Sequence, residues 1–188
     1  MRLGRPSNAQ LDALIARKAG LAVSYDFVGS TLHPDQWPGR TQYTKSRDLG
    51  SGVEAFEAGV GGLRSWACHG GIDAEIYPAD APIEEGTTLL VILAVGPMRI
   101  IVPDRIVAVI DEPDRFGFAY GTLPGHQEVG EESYLVERHG DGRVTATIAV
   151  DARAATKAAR AIAPVVTVFQ RAAVKRYLAA LAGAAGSS

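Results

Sequence analysis

Between Ile72 and Val150 the chain breaks into six strand-like segments, joined by connections too short to carry a crossover helix. They run from Ile72 to Tyr77, Thr87 to Val95, Met98 to Ile110, Arg115 to Thr122, Glu131 to Arg138 and Val144 to Val150. Parallel neighbours need a dozen or more residues for the return, so strands joined this tightly pair antiparallel. Turn signals stand where that pairing needs them: Gly96-Pro97, the polar stretch Asp111 to Asp114 with Pro113, and His139-Gly-Asp-Gly142. The framework is an antiparallel meander, with a bend expected near Pro103.

The flanking segments complete the reading. Ser7 is placed to cap a helix from Ala9 to Lys18, with Leu11, Leu14 and Ile15 on one stripe and Gly20 ending it. Leu21 to Val28 is expected as a first strand, and Gly29 to Leu49 as a long polar loop. Ser51 and Glu54 have capping-box spacing ahead of Val53, Phe56, Val60 and Leu63. Gly59, Gly61 and Gly62 predict two short helices or one bent one, with Trp66 anchoring its end. Ala154 to Ala182 reads as one long helix with Ile162, Val166, Phe169, Ala173 and Tyr177 on its apolar stripe, kinked or split at Pro164.

A strongly curved antiparallel sheet of about seven strands, wrapped around a long C-terminal helix, satisfies this order. The expected class is α+β with the helix-grip architecture, as one domain over 1–188, with residues 1–20 a helical extension and 183–188 a disordered tail. A sheet and one helix also predict a cavity between them.

Composition narrows the function classes. A net charge of −2 without a long like-charge block argues against a nucleic-acid binder. The single cysteine, Cys68, excludes an internal disulfide and a cysteine-cluster zinc site. The longest apolar run, Leu89 to Val95, is too short to cross a bilayer. A cytoplasmic location, no integral membrane association, no cofactor and no resident metal are the expectations; oligomeric state stays open. Gly50-x-Gly52-x-x-Ala55 matches a dinucleotide fingerprint in spacing, but it lacks the preceding apolar strand and is assigned to helix capping.

The run Phe116-Gly-Phe-Ala-Tyr-Gly-Thr-Leu-Pro-Gly-His126, the following Gly-Glu-Glu132, and the end Pro164…Gln170…Arg176-Tyr-Leu178 resemble a bacterial and plant family of uncharacterised proteins. Gly50-Ser-Gly52, Phe56 and Trp66 fit it as well. The resemblance implies similarity to the helix-grip superfamily of birch pollen allergen and steroid-acute-regulatory lipid-transfer domains. It implies no activity.

The same run supplies the candidate site. Phe116, Phe118, Tyr120 and Thr122 share one strand face, and Gly117, Ala119 and Gly121 the other, which suits curvature or close approach by another element. Leu-Pro-Gly-His, residues 123 to 126, has the pattern of a type II turn. Glu132 shares its face with Tyr134 and Val136, so it is expected to point inward and Glu131 to be more exposed. Tyr120, Thr122, His126, Glu128, Glu132 and Phe118, with Phe169, Arg176 and Tyr177 from the terminal helix, are the candidate ligand-binding residues. One reading is a module holding a small hydrophobic or amphipathic molecule. A second is an enzyme of the same fold using Glu132 or His126 as acid–base groups. A third is a polar network that fixes the turn in a protein with a filled core. A metal on His126 and Glu128 with Glu132 or His69, or a nucleophilic Cys68, has weaker support in the spacing.

Overall fold

A computed structural model of the chain describes residues 2–37, 43–156 and 172–183. Its long strands are β2 (Tyr43–Ser51), β3 (Ala74–Tyr77), β4 (Thr88–Val95), β5 (Met98–Glu112), β6 (Arg115–Thr122), β7 (Glu128–Arg138) and β8 (Arg143–Ala154). They form one curved antiparallel sheet in the order β2-β8-β7-β6-β5-β4-β3, and the short β1 (Arg2–Leu3) adds to β5. The expected meander is present from β3 to β8. A helix over residues 172–183, here α4, buries Val174, Tyr177, Leu178 and Leu181 in the main core on the concave face.

Four expectations need correction. Leu21 to Val28 is not a strand; it belongs to an irregular segment laid over the sheet. The first long strand is instead β2, within the stretch expected to be a loop, and it pairs with β8 from Tyr43↔Val150 onward. β2 escaped notice because only Leu49 within it is buried, and an edge strand carrying Lys45, Arg47 and Asp48 has the composition of a loop. At the other end, β8 runs through Ala154, paired with Glu128, so no helix starts there. Pro164 and the stripe residues Ile162, Val166 and Phe169 lie outside the described residues. The bend expected near Pro103 is also displaced: Pro103 keeps register with Leu90, and the irregularity falls between Ile106 and Ala108.

The helices follow their signals more closely. α1 (Asn8–Lys18) opens on a capping box in which Ser7 accepts from the Gln10 amide and Gln10 accepts from the Ser7 amide. Its C-terminal carbonyls are collected by Arg105, whose guanidinium donates to Lys18, Ala19 and Leu21 oxygens. α2 (Gly52–Arg64) begins after Ser51 as expected, yet the Ser51 side chain makes no capping bond. α3 (Ala67–Gly70) follows a left-handed Trp66, whose indole donates to the Ala81 carbonyl at 3.0 Å.

Both faces of the sheet are covered. Leu89 and Val91 point into the concave core, while Leu90 and Ile92 meet Leu11 of α1 on the convex face. That explains the unbroken apolar run of β4: no face of it is left for polar residues. Over β5 and β6 the convex face is covered by the irregular segment, where Leu32 packs on Ala108, Ile110 and Ala119.

Candidate functional site

Alternation along β6 sends Phe116, Phe118 and Tyr120 into the concave core, where Phe118 is fully buried and rests on Trp66 and Tyr134 at ring-centroid distances of 5.1 and 5.2 Å. Pairing of Tyr120 with Glu132, and of Phe118 with Tyr134, brings the next strand's inward residues alongside. α3 adds His69, whose ring lies 5.2 Å from Tyr134 and 5.1 Å from Tyr177 of α4. The middle of the concave face is therefore an aromatic cluster that also encloses Glu132, His69 and Cys68.

Their hydrogen bonds converge on the Tyr120 hydroxyl and on Glu132. The Tyr120 hydroxyl donates to Glu132 Oε2 at 3.1 Å. Its oxygen lies 2.9 Å from the Tyr134 hydroxyl and 3.3 Å from His69 Nε2, and His69 Nδ1 lies 3.2 Å from Cys68 Sγ. With the His69 proton on Nε2, one consistent path runs from the Cys68 thiol to His69, from His69 to Tyr120, and from Tyr120 to Glu132. Burial lowers the His69 pKa to about 3, which keeps the ring neutral as this arrangement needs. Burial also pushes the Cys68 thiol up to about 12. Tyr120, Tyr134 and Tyr177 are all raised well above the ordinary tyrosine value, first by burial and then by the Glu132 charge.

Glu132 is the group poised to titrate. Burial raises its pKa to about 7, hydrogen bonds from Tyr120 and Tyr134 oppose the rise, and Glu128 adds to it. The residue nevertheless keeps some solvent exposure, unlike Tyr134 beside it. Asp104, on the neighbouring β5, is buried and raised well above the usual carboxylate range by desolvation and by Glu132 and Glu128. His126 Nε2 lies 3.8 Å from Asp104, while His126 Nδ1 accepts from the Glu128 amide at 2.8 Å. Burial lowers the His126 pKa to about 4. Sequence reasoning set Cys68 and His69 aside and did not weigh Asp104; the polar Asp104 between apolar Val102 and Ile106 was the available signal.

Glu131 corrects the expectation drawn from parity. It does point to the opposite face, but that face is not solvent, and Glu131 is only 2% exposed. Its carboxylate accepts from the Tyr25 hydroxyl, the Gly29 and Thr31 amides, and the Ser30 and Thr31 hydroxyls, at 2.7 to 3.2 Å. Room for Tyr25 comes from Gly121, where a Cβ would collide with the Tyr25 hydroxyl. The cage thus pins the irregular 25–31 segment to the convex face.

Leu123 to His126 forms the expected turn: the His126 amide donates to the Leu123 carbonyl at 3.0 Å, and Gly125 has φ +98°. Lys18 donates to the Pro124 carbonyl from α1. Thr122 is buried, its hydroxyl oxygen accepting from the Gly130 amide at 3.0 Å. Of the α4 candidates, Tyr177 joins the aromatic cluster, Arg176 is exposed rather than turned to the sheet, and Phe169 lies outside the described residues. Among the described residues no three histidine, cysteine or carboxylate side chains converge as a metal site would require.

Comparison with known proteins places this chain among relatives. A family model described as a domain of unknown function (DUF1990) matches residues 24–180. A UPF0548 protein of Deinococcus radiodurans is 33% identical over 196 residues, covering 96% of each chain. Among solved structures, a hypothetical protein from Helicobacter pylori aligns with a TM-score of 0.58 at 15% identity, over 86% of this chain and 95% of that one. A conserved protein from Geobacillus kaustophilus aligns at 0.53 and 12% identity, over 77% and 95%. Human STARD10 stands at 0.48 and 9% identity, over 94% and 80%.

Proposed function

We propose that this chain, which belongs to the DUF1990 family of domains of unknown function, is a binding module for a small amphipathic molecule held between the concave face and α4. The observation that supports it most is the Glu132 carboxyl: inward-facing, in contact with tyrosine hydroxyls, still partly exposed, and titrating near pH 7. Protonated, it donates to a carbonyl or ether oxygen; ionised, it accepts from a hydroxyl, phenol or amine. Phe118, Tyr134 and Tyr177, buried against one another beside Glu132, are the aromatic side chains on which the apolar part of such a molecule would pack.

Mass spectrometry of small molecules retained through native purification tests this reading, with wild type beside Glu132→Gln and Tyr120→Phe. A discrete molecule retained by wild type and depleted in both variants is the expected result. A wild-type protein carrying nothing, or equal retention in all three, overturns it.

One observation favours a second reading, an enzyme of the same fold. A carboxyl with a pKa of about 7, at the end of a donor series from Cys68 through His69 and Tyr120, has the properties of a general acid–base group. Conversion of the retained molecule by wild type, absent in Glu132→Gln, would select that reading.

A further inference from the structure

Lys45 and Arg47 occupy places on β2 where the pattern of the sheet calls for apolar side chains. Tyr43 and Leu49 of the same strand pack with the main core, and Lys45 and Arg47 alternate between them. Their cross-strand partners on β8 are Ile148 and Ala146, both buried in that core. Directly paired residues project to the same face, so the two cations stand on the concave side at the sheet's edge. Across from them α4 presents Lys175, and Lys45, Ser46, Arg47, Lys175 and Leu178 line one groove of about 330 Å³.

The charge of this groove is unbalanced. No acidic residue is among its described lining, and none of the three cations has an ion-pair partner among the described residues. The sequence offers none from the C-terminal side either: after Asp151 every charged residue is basic, namely Arg153, Lys157, Arg160, Arg171, Lys175 and Arg176. A chain of net charge −2 thus concentrates positive charge along one end and one edge. Three like charges around one concavity repel one another, and an oxyanion with several acceptor atoms relieves that repulsion.

We infer that the groove between β2 and α4 is a binding site for a phosphate-type oxyanion, with Lys45, Arg47 and Lys175 as its donors. The site stands independently of any molecule held deeper on the concave face. Charges on an edge strand also discourage strand addition, a role open to Lys45 and Arg47 but not to Lys175 on the facing helix.

Two probes separate the sources of such an anion. Inorganic phosphate is titrated at low ionic strength and followed by amide chemical shifts. Phosphatidylcholine vesicles, with and without phosphatidic acid, are followed by co-sedimentation. Wild type is compared with a triple variant, Lys45→Gln/Arg47→Gln/Lys175→Gln, and with the control Arg17→Gln on α1. Saturable binding of either probe by wild type and the control, at least tenfold weaker in the triple variant, is expected. A response to free phosphate points to a soluble ester, and a response confined to acidic vesicles to a lipid headgroup. No binding of either probe, or binding unchanged by the triple variant, overturns the inference. A triple variant that self-associates while its phosphate affinity is unchanged assigns the cations to edge protection instead.

Discussion

Glu131 and Glu132 are chain neighbours whose carboxylates lie on opposite faces of the sheet, one caged by five donors from residues 25–31 and the other held by tyrosine hydroxyls of the aromatic cluster. One peptide unit therefore divides two roles. Glu131 fastens a segment; Glu132 titrates inside the aromatic cluster.

Removal of the caged carboxylate leaves several buried donors without acceptors. Glu131→Ala is expected to cost roughly 3 kcal/mol or more in urea denaturation, and to speed amide exchange in residues 25–31 before the rest of the sheet. A loss below about 1 kcal/mol would show that the cage does not hold the segment.

Gly121 and Tyr25 should behave as a coupled pair. Gly121→Ala places a Cβ against the Tyr25 hydroxyl and displaces it from Glu131. In a Tyr25→Ala background the same change has little left to disturb, so a double-mutant cycle should give a coupling of about 1 kcal/mol or more. Additive effects would mean that the close approach is not what the glycine serves.

The pH dependence of stability isolates Glu132. Its folded pKa is about 7 against an ordinary 4.5, so between those values the folded chain holds a proton that the unfolded chain has released. Stability contributed by this group is present below pH 4.5 and is lost as pH rises through 7. His69 and His126, lowered to about 3 and about 4 from 6.5, act in the opposite direction: their contribution is gained as pH rises toward 6.5. A difference measurement separates the two. Glu132→Gln should gain stability relative to wild type as pH rises from 4.5 to 7, and a flat difference would return Glu132 to ordinary carboxylate behaviour.

Cys68 is fully buried and its thiol is protonated at neutral pH. Alkylation by iodoacetamide should therefore track unfolding, slow in buffer and fast in denaturant. Rapid native labelling would contradict the donor role assigned to it.

Gly125 should be sensitive for a backbone reason alone. Alanine at φ +98° is disfavoured, and Gly125→Ala is expected to lower stability by about 1 kcal/mol without affecting ligand retention. Unchanged melting would show that the turn relaxes to another type.

The meander was legible because most of its strands alternate, β4 reads as a continuous apolar run, and its turns carry Gly and Pro at fixed places. The parity of Glu132 was legible for the same reason. The exposure of Glu131 was misjudged because no strand's own sequence records what covers its other face; the covering residues, Tyr25 to Thr31, lie a hundred positions earlier. The small side chains Gly117, Ala119 and Gly121 were the trace of that cover, read as suiting close approach but not matched to a partner. β2 and the 21–28 segment were exchanged because composition was read as burial: charged side chains sit at a sheet edge, and apolar ones in an irregular strap. His69 was undervalued because its partners, Tyr120 and Tyr177, come together only when β6 and α4 meet α3.

The cage around Glu131 has a consequence for the order of synthesis. Tyr25 to Thr31 leave the ribosome long before Glu131 exists, and β2 leaves it long before its partner β8. The first fifty residues of this chain therefore emerge without the surfaces that receive them, carrying Leu11, Phe27 and Leu32 uncovered until the meander is translated and folded. Nascent chains arrested before residue 131 should expose this N-terminal quarter to proteases and holdase chaperones, and chains arrested after β8 clears the exit tunnel should not.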